Sequence, residues 1–71
     1  MTRRFEFVGG SSAKFWEVTQ AGNNVRVRYG RIGSPGQEQI KSFPDTAAAE
    51  KHADKLVREK LGKGYVECAA C

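Results

Sequence analysis

The chain has 71 residues, twelve of them basic and eight acidic, a formal charge of +4, and 39% of its residues are apolar. That length fits one small domain and leaves no room for a cofactor domain beside a substrate domain. No apolar run approaches the ~20 residues that span a bilayer, and the spacing of glycine, phenylalanine and β-branched residues argues against disorder.

Arg4 to Val8 alternates, with Phe5 and Phe7 on one face and Arg4, Glu6 and Val8 on the other, which predicts a strand. Because this pattern begins at once after Met1-Thr2-Arg3, the start does not read as a signal peptide. Gly9-Gly10-Ser11-Ser12 predicts a turn, and Lys14 to Gln20 a second strand with Trp16 and Val18 on one face and Phe15 and Glu17 on the other. The adjacent Phe15 and Trp16 cannot both be buried on one face. Ala21-Gly22-Asn23-Asn24 has hairpin composition. A third strand follows over Val25 to Ile32, a turn at Gly33-Ser34-Pro35-Gly36, and a fourth strand over Gln37 to Phe43. Three closely spaced turn clusters imply an antiparallel meander.

The pattern changes at Pro44. Asp45 is placed to accept hydrogen bonds from free amides and cap a helix over Thr46 to Leu61. Ala49, Ala53, Leu56, Val57 and Leu61 recur at three- and four-residue steps and predict its buried stripe. Gly62 and Gly64 end it, with Lys60 and Lys63 near its negative end, and Tyr65-Val66-Glu67 reads as an added edge strand. The expected fold is therefore α+β: a small antiparallel sheet of four to five strands with one helix, from the C-terminal half, packed on one face. Phe5, Phe7 and Phe43 are expected in its core. The domain covers 1–71, with its core over about 3–67 and a frayed tail at 68–71.

The charge is unevenly spread. Through Pro44, seven basic residues (Arg3, Arg4, Lys14, Arg26, Arg28, Arg31, Lys41) stand against three acidic ones, and from Asp45 onward five stand against five. A polyanion should meet the first half, although a solubilising surface has the same composition. Within that half, Arg26-Val27-Arg28-Tyr29-Gly30-Arg31-Ile32 sets an aromatic among three arginines. An aromatic can stack on a base or sugar, and arginine can hold phosphate. Alternation, however, puts Val25, Val27, Tyr29 and Arg31 on one face and Arg26, Arg28 and Gly30 on the other. Tyr29 then faces either the core or a ligand, and Arg26 and Arg28 line either a solvated face or a phosphate. Gly30 permits a bulge or the close approach of another backbone.

Other motifs offer little chemistry. The glycine-rich turns lack the Lys-Ser/Thr and the following helix of a phosphate loop. Cys68-Ala69-Ala70-Cys71 has the spacing of a metal half-site, but a zinc site needs about four ligands. His52, the remaining classical candidate, reads as a helix-surface or rim residue. The same four residues formally match a prenylation box, without a polybasic tract before them. Two cysteines at the end cannot staple a core, which fits a reducing, cytoplasmic location. No nucleophile–base set or paired carboxylates stand out, so no catalytic residue, metal or cofactor is assigned.

Taken in order, Lys14-Phe15-Trp16-Glu17-Val18, Arg28-Tyr29-Gly30-Arg31-Ile32-Gly33, Gly36-Gln37, Lys41-Ser42-Phe43, Ala48-Ala49 and Glu59-Lys60-Leu61 to Gly64-Tyr65 resemble the WGR domain. This small module is named for a Trp-Gly-Arg signature and occurs in DNA-dependent poly(ADP-ribose) polymerases and in short bacterial proteins. The bacterial type, with its Arg3-Arg4-Phe5-Glu6-Phe7 opening, is the nearer likeness. The resemblance implies an antiparallel sheet crossed by one helix and a non-catalytic role. In the polymerases the signature Trp packs on a sugar near a DNA break and the Arg communicates with neighbouring domains. Tyr29 stands at the Trp position, followed by Gly30 and Arg31, so the stacking surface is kept but smaller. Arg31 would need a partner in trans for the communicating role.

The expectation is a non-catalytic nucleic-acid-binding module, preferring DNA over RNA and DNA ends or nicks over internal sites. Tyr29 would stack, Arg31, Arg28, Arg26 and Lys41 would hold phosphate, and Gly30 and Gly33 would shape the motif. The alternative is an adaptor that docks a separately encoded protein on the same rim. Neither reading involves a membrane or a small-molecule substrate.

Overall fold

The computed structural model describes residues 2–68. Five strands and one helix follow in the order β1 (Thr2–Gly9), β2 (Ser12–Ala21), β3 (Asn24–Arg31), β4 (Gln37–Ser42), α1 (Thr46–Gly62) and β5 (Val66–Glu67). The strands form one antiparallel sheet in the order β4-β3-β2-β1-β5. The first four are the expected meander, and β5 returns along β1 as an edge strand.

Tight turns set the register. Gly9 pairs with Ser12 and Ala21 with Asn24, so each hairpin turns through two residues. Gly10 (φ 57°) and Gly22 (φ 60°) occupy the first central position, where two-residue hairpins of one common type require positive φ. From the second hairpin the pairing runs without a bulge: Val18 faces Val27, Trp16 faces Tyr29, Phe15 faces Gly30 and Lys14 faces Arg31.

Helix α1 lies against β2 and β3 on the face that carries Phe5, Trp16, Val18 and Val25. Asp45 caps it as expected: the Ala48 N–H donates to the Asp45 carboxylate at 2.7 Å. Ala49 and Val57 are buried, and Ala53 and Leu56 pack at the border of the same cluster. Leu61 departs from the expected stripe and is 49% exposed. The stripe drifts by its last turn, and Lys60 takes the inward position, its ammonium 5.6 Å from the Trp16 ring centre and 5.5 Å from that of Tyr65. Phe7 and Phe43 are only half-buried: Phe7 packs on Tyr65, and Phe43 packs on His52 and at the border of the core cluster.

The opposite face of the sheet carries no helix, yet Phe15 is 98% buried there, being only 2% exposed. Arg4 lies 4.7 Å and Arg28 5.5 Å from its ring centre, and the loop after β3 folds over it. Glu17 joins the two arginines, at 2.7 Å from Arg4 and 2.9 Å from Arg28. The adjacent aromatic pair is thus resolved by two separate burials, Trp16 under the helix and Phe15 under arginines. At the far edge, the Cys68 N–H donates to the Arg4 carbonyl at 2.8 Å, so the pairing begun by β5 extends to this residue. The rest of the Cys68–Cys71 spacing lies outside the described residues.

Candidate nucleic-acid interface

Helix α1 contacts β2 and β3 and leaves every residue of β4 exposed. A groove results on the helix side of the sheet. Val27 and Tyr29 form part of its floor, with His52, Leu56 and Lys60 on the helix wall and Lys41 on the strand wall.

Tyr29 stands at the centre. It packs against the core cluster and also lines the groove. Its hydroxyl lies between the two β4 amides, donating to Gln37 Oε1 and accepting from Gln39 Nε2, each at 3.4 Å. These are long, weak hydrogen bonds that bias the ring orientation without locking it.

Gly30 explains the middle of the signature. A Cβ there would stand 2.8 Å from the Gly36 Cα, and one on Gly36 (φ 71°) would stand 2.7 Å from Phe15 Cζ and 2.5 Å from the Tyr29 carbonyl oxygen. The close approach of backbone that Gly30 permits is therefore real, and the alternative of a bulge is not taken up. Gly33 has φ 96°, and a side chain there would meet open space, so it serves the loop's path rather than its packing. The Ser34 hydroxyl and N–H both donate to the Arg31 carbonyl, at 2.7 and 3.0 Å, and fix the backbone just beyond the strand.

The seven basic residues of the strands sort into two groups. Four arginines are engaged with carboxylates: Arg3 with Glu67 at 2.8 Å, Arg4 with Glu17 and Glu6, Arg26 with Glu38 at 3.8 Å, and Arg28 with Glu17. Among the described residues no carboxylate pairs with Lys14, Arg31 or Lys41. These three all line the groove. The charge excess read from the first half of the sequence is therefore concentrated on one face. Of the residues expected to bind nucleic acid, Tyr29, Arg31 and Lys41 are brought together here. Arg26 and Arg28 lie on the other face, where Arg28 covers Phe15.

Lys41 faces Val25 across the β3–β4 ladder. From Val25 to Arg31 the strand advances about 20 Å, at roughly 3.3 Å per residue. The groove thus offers cations at both ends of a span equal to about six nucleotides of one B-form strand. Lys60 adds a fourth. Burial against Trp16 and Tyr65 pushes its ammonium below the ordinary lysine pKa, neighbouring Lys63 pushes it the same way, and Glu59 opposes both. The groove residues that sequence reasoning gave no role in binding include Lys14, Lys60 and Gln39. For Lys14 the signal was its place two residues before Trp16, and for Lys60 its three-residue step from Val57.

A family model of the WGR domain matches residues 1–70. Protein YehF of Escherichia coli is 49% identical over 67 residues, which cover 94% of this chain and 24% of that protein. The uncharacterized protein YfeS of Escherichia coli is 39% identical over 67 residues, 94% of this chain and 28% of that one. A crystal structure of a Bacteroides fragilis protein superposes with a TM-score of 0.93 at 47% identity, covering 96% of this chain and 19% of that chain. The chain therefore spans about a quarter of the length of these curated relatives. The WGR domain is a nucleic-acid-binding module in proteins like the poly(ADP-ribose) polymerases. With the signature pattern, the sheet-and-helix fold and the family match in agreement, this chain belongs to the WGR-domain family.

Proposed function

We propose that the helix-side groove binds nucleic acid without catalysing a reaction, and that a DNA end or nick is its preferred form. One observation carries this reading: the strand cations that have no carboxylate partner among the described residues, Lys14, Arg31 and Lys41, share one groove with Tyr29. A half-buried tyrosine offers one ring face or edge for stacking, which suits a sugar or base exposed where the duplex is interrupted. Arg31 presents a fork suited to phosphate, and Lys41 a point charge farther along the span. In this reading Arg26 and Arg28 keep their ion pairs and contact no phosphate. Cytoplasmic work on nucleic acid fits the basic surface, and among the described residues no helix is long and apolar enough to cross a membrane.

A second reading, protein docking, has its own observation. Strand β4 is an uncovered edge, exposed throughout, with Ile40 62% exposed. Such an edge can add a partner strand. It competes with the first reading only if the partner also covers Tyr29.

An NMR titration with a short duplex carrying a free 5′-phosphate tests the proposal. Amide shifts should gather on Tyr29, Arg31 and Lys41. A spectrum that stays unshifted at low salt overturns the nucleic-acid reading.

A further inference from the structure

We infer that β4 of one molecule pairs with β5 of the next, so that the two edges of the sheet join copies of this chain head to tail. The pairing rests on the docking reading for the openness of the β4 edge, and it commits that edge to one occupant, a second copy.

The backbone of each edge strand leaves alternate residues turned outward. The Phe43 N–H donates to the Asn23 carbonyl at 2.9 Å, in step with the β3–β4 register. Along an antiparallel ladder the bonding direction alternates, so Gln39 and Lys41 also bond to β3, while Glu38, Ile40 and Ser42 turn their N–H and C=O groups outward. This pairing runs without a bulge, and Pro35 and Pro44 lie outside the strand. At the other edge the Cys68 N–H donates to the Arg4 carbonyl, so Val66 bonds to β1 and Glu67 turns its N–H and C=O groups outward. Outward rows of this kind are templates for a further strand.

Side chains select the register. Every neighbouring pair in the sheet is antiparallel, so β4 and β5 run the same way, and a copy set edge to edge with the same face up brings them together as parallel strands. Ile40-Lys41 and Val66-Glu67 are each an apolar residue followed by a charged one. Ile40 lies opposite Arg26 and Val66 opposite Glu6, which puts both on the open face, where they are 62% and 69% exposed. Lys41 lies opposite Val25 and Glu67 opposite Phe5, on the helix face. Setting Val66 beside Ile40 therefore sets the Glu67 carboxylate beside the Lys41 ammonium, which has no carboxylate partner among the described residues. In that register the Glu67 N–H meets the Ile40 carbonyl, the Ser42 N–H the Glu67 carbonyl, and the Ile40 N–H the Tyr65 carbonyl. A slip of two residues puts Val66 beside Glu38 or Ser42 and loses both matches. Glu67 accepts from Arg3 through both oxygens and keeps lone pairs for a second donor. The contact is heterologous, so every assembly ends in one free β4 and one free β5.

A contact this small is weak, so the test is sedimentation of the protein alone at low salt, up to about 1 mM. The average mass of the parent should grow with concentration past that of a dimer. Ile40→Lys blocks one edge and Val66→Lys the other. Each alone should associate about tenfold more weakly or not at all. Their equimolar mixture should stop at a dimer, because it joins one intact β4 to one intact β5. Circular dichroism confirms folding, and Lys41→Glu, at an exposed position, serves if Ile40→Lys does not fold. A parent that stays monomeric overturns the pairing and leaves the docking reading to a separately encoded strand. A parent that stops at a dimer, lost in Ile40→Lys and kept in Val66→Lys, shows β4 pairing with itself and overturns the proposal. Growth that survives both substitutions also overturns it.

Discussion

Gly30 is the residue whose replacement most cleanly separates packing from backbone conformation. Its φ is ordinary for a strand, so alanine there brings no torsional penalty. The added Cβ would stand 2.8 Å from the Gly36 Cα and 3.4 Å from Ser34 Oγ. The first contact is backbone to side chain and cannot be relieved by a rotamer. Gly36 cannot retreat easily, since it is itself wedged against Phe15 and the Tyr29 carbonyl. Overpacking of this kind costs about 1–3 kcal/mol. Since neither backbone can yield, the upper part of that range, about 2–3 kcal/mol, applies; removing a glycine from a strand returns roughly 0.5–1 kcal/mol, so the net expected loss is about 1–2.5 kcal/mol. For a domain of this size that lowers the melting temperature by about 4–20 °C. Gly62→Ala is the matched control. It lies in the last turn of α1 with nothing within 4 Å of the new Cβ, and should stabilise by up to about 1 kcal/mol. Urea unfolding of both variants, followed by Trp16 fluorescence, reads the difference directly. A Gly30→Ala protein as stable as the parent would refute the account of loop packing over Phe15.

Three other outcomes follow from the same geometry. Asp45→Ala removes the acceptor of the Ala48 N–H and should cost about 1 kcal/mol in urea unfolding, whereas Asp45→Asn should keep most of it. Tyr29→Phe removes only two hydrogen bonds of 3.4 Å and should bind DNA within about twofold of the parent, while Tyr29→Ala should lose about tenfold or more in a fluorescence anisotropy titration. The hydrogen bond from Arg3 holds the Glu67 carboxyl below its ordinary 4.5, so its stabilising contribution is present above that value and fades as pH falls through the lower folded value. The urea midpoints of the parent and Glu67→Gln should therefore differ near neutral pH and converge under acid; a gap that persists unchanged to about pH 3 would contradict this.

Most of the fold could be read from local signals, because periodicity and turn chemistry act over a few residues. The alternation of Phe5 and Phe7, the Ala21–Asn24 turn and the Asp45 cap each predict their element. Strand ends ran longer than predicted for β1 and β2, since the two-residue turns let pairing continue to Gly9–Ser12 and Ala21–Asn24. The site was legible only in part, because its residues meet through register. Tyr29 and Arg31 share a strand face by alternation. The opposition of Lys14 and Arg31, the position of Lys41 and the inward turn of Lys60 depend on pairings that no short window contains. Ion pairing was equally hidden: Arg26 and Arg28 look like Arg31 in sequence, and only the structure sets Glu38 and Glu17 beside them. Phe15 shows the same limit, since alternation assigns it to the outer face and cannot foresee that two arginines and a glycine loop cover it there.

The central claim is that nucleic acid meets the helix-side groove and not the open face. Two double variants test it with equal changes in net charge: Arg31→Gln with Lys41→Gln, and Arg26→Gln with Arg28→Gln, each lowering the formal +4 by two. Affinity for a short linear duplex, measured by anisotropy across a salt series, is the readout. The groove pair should lose about tenfold or more at low salt and flatten the salt slope by about 2, whereas the open-face pair should stay within about threefold of the parent. Equal losses in the two variants, or the greater loss from the open face, would contradict the account.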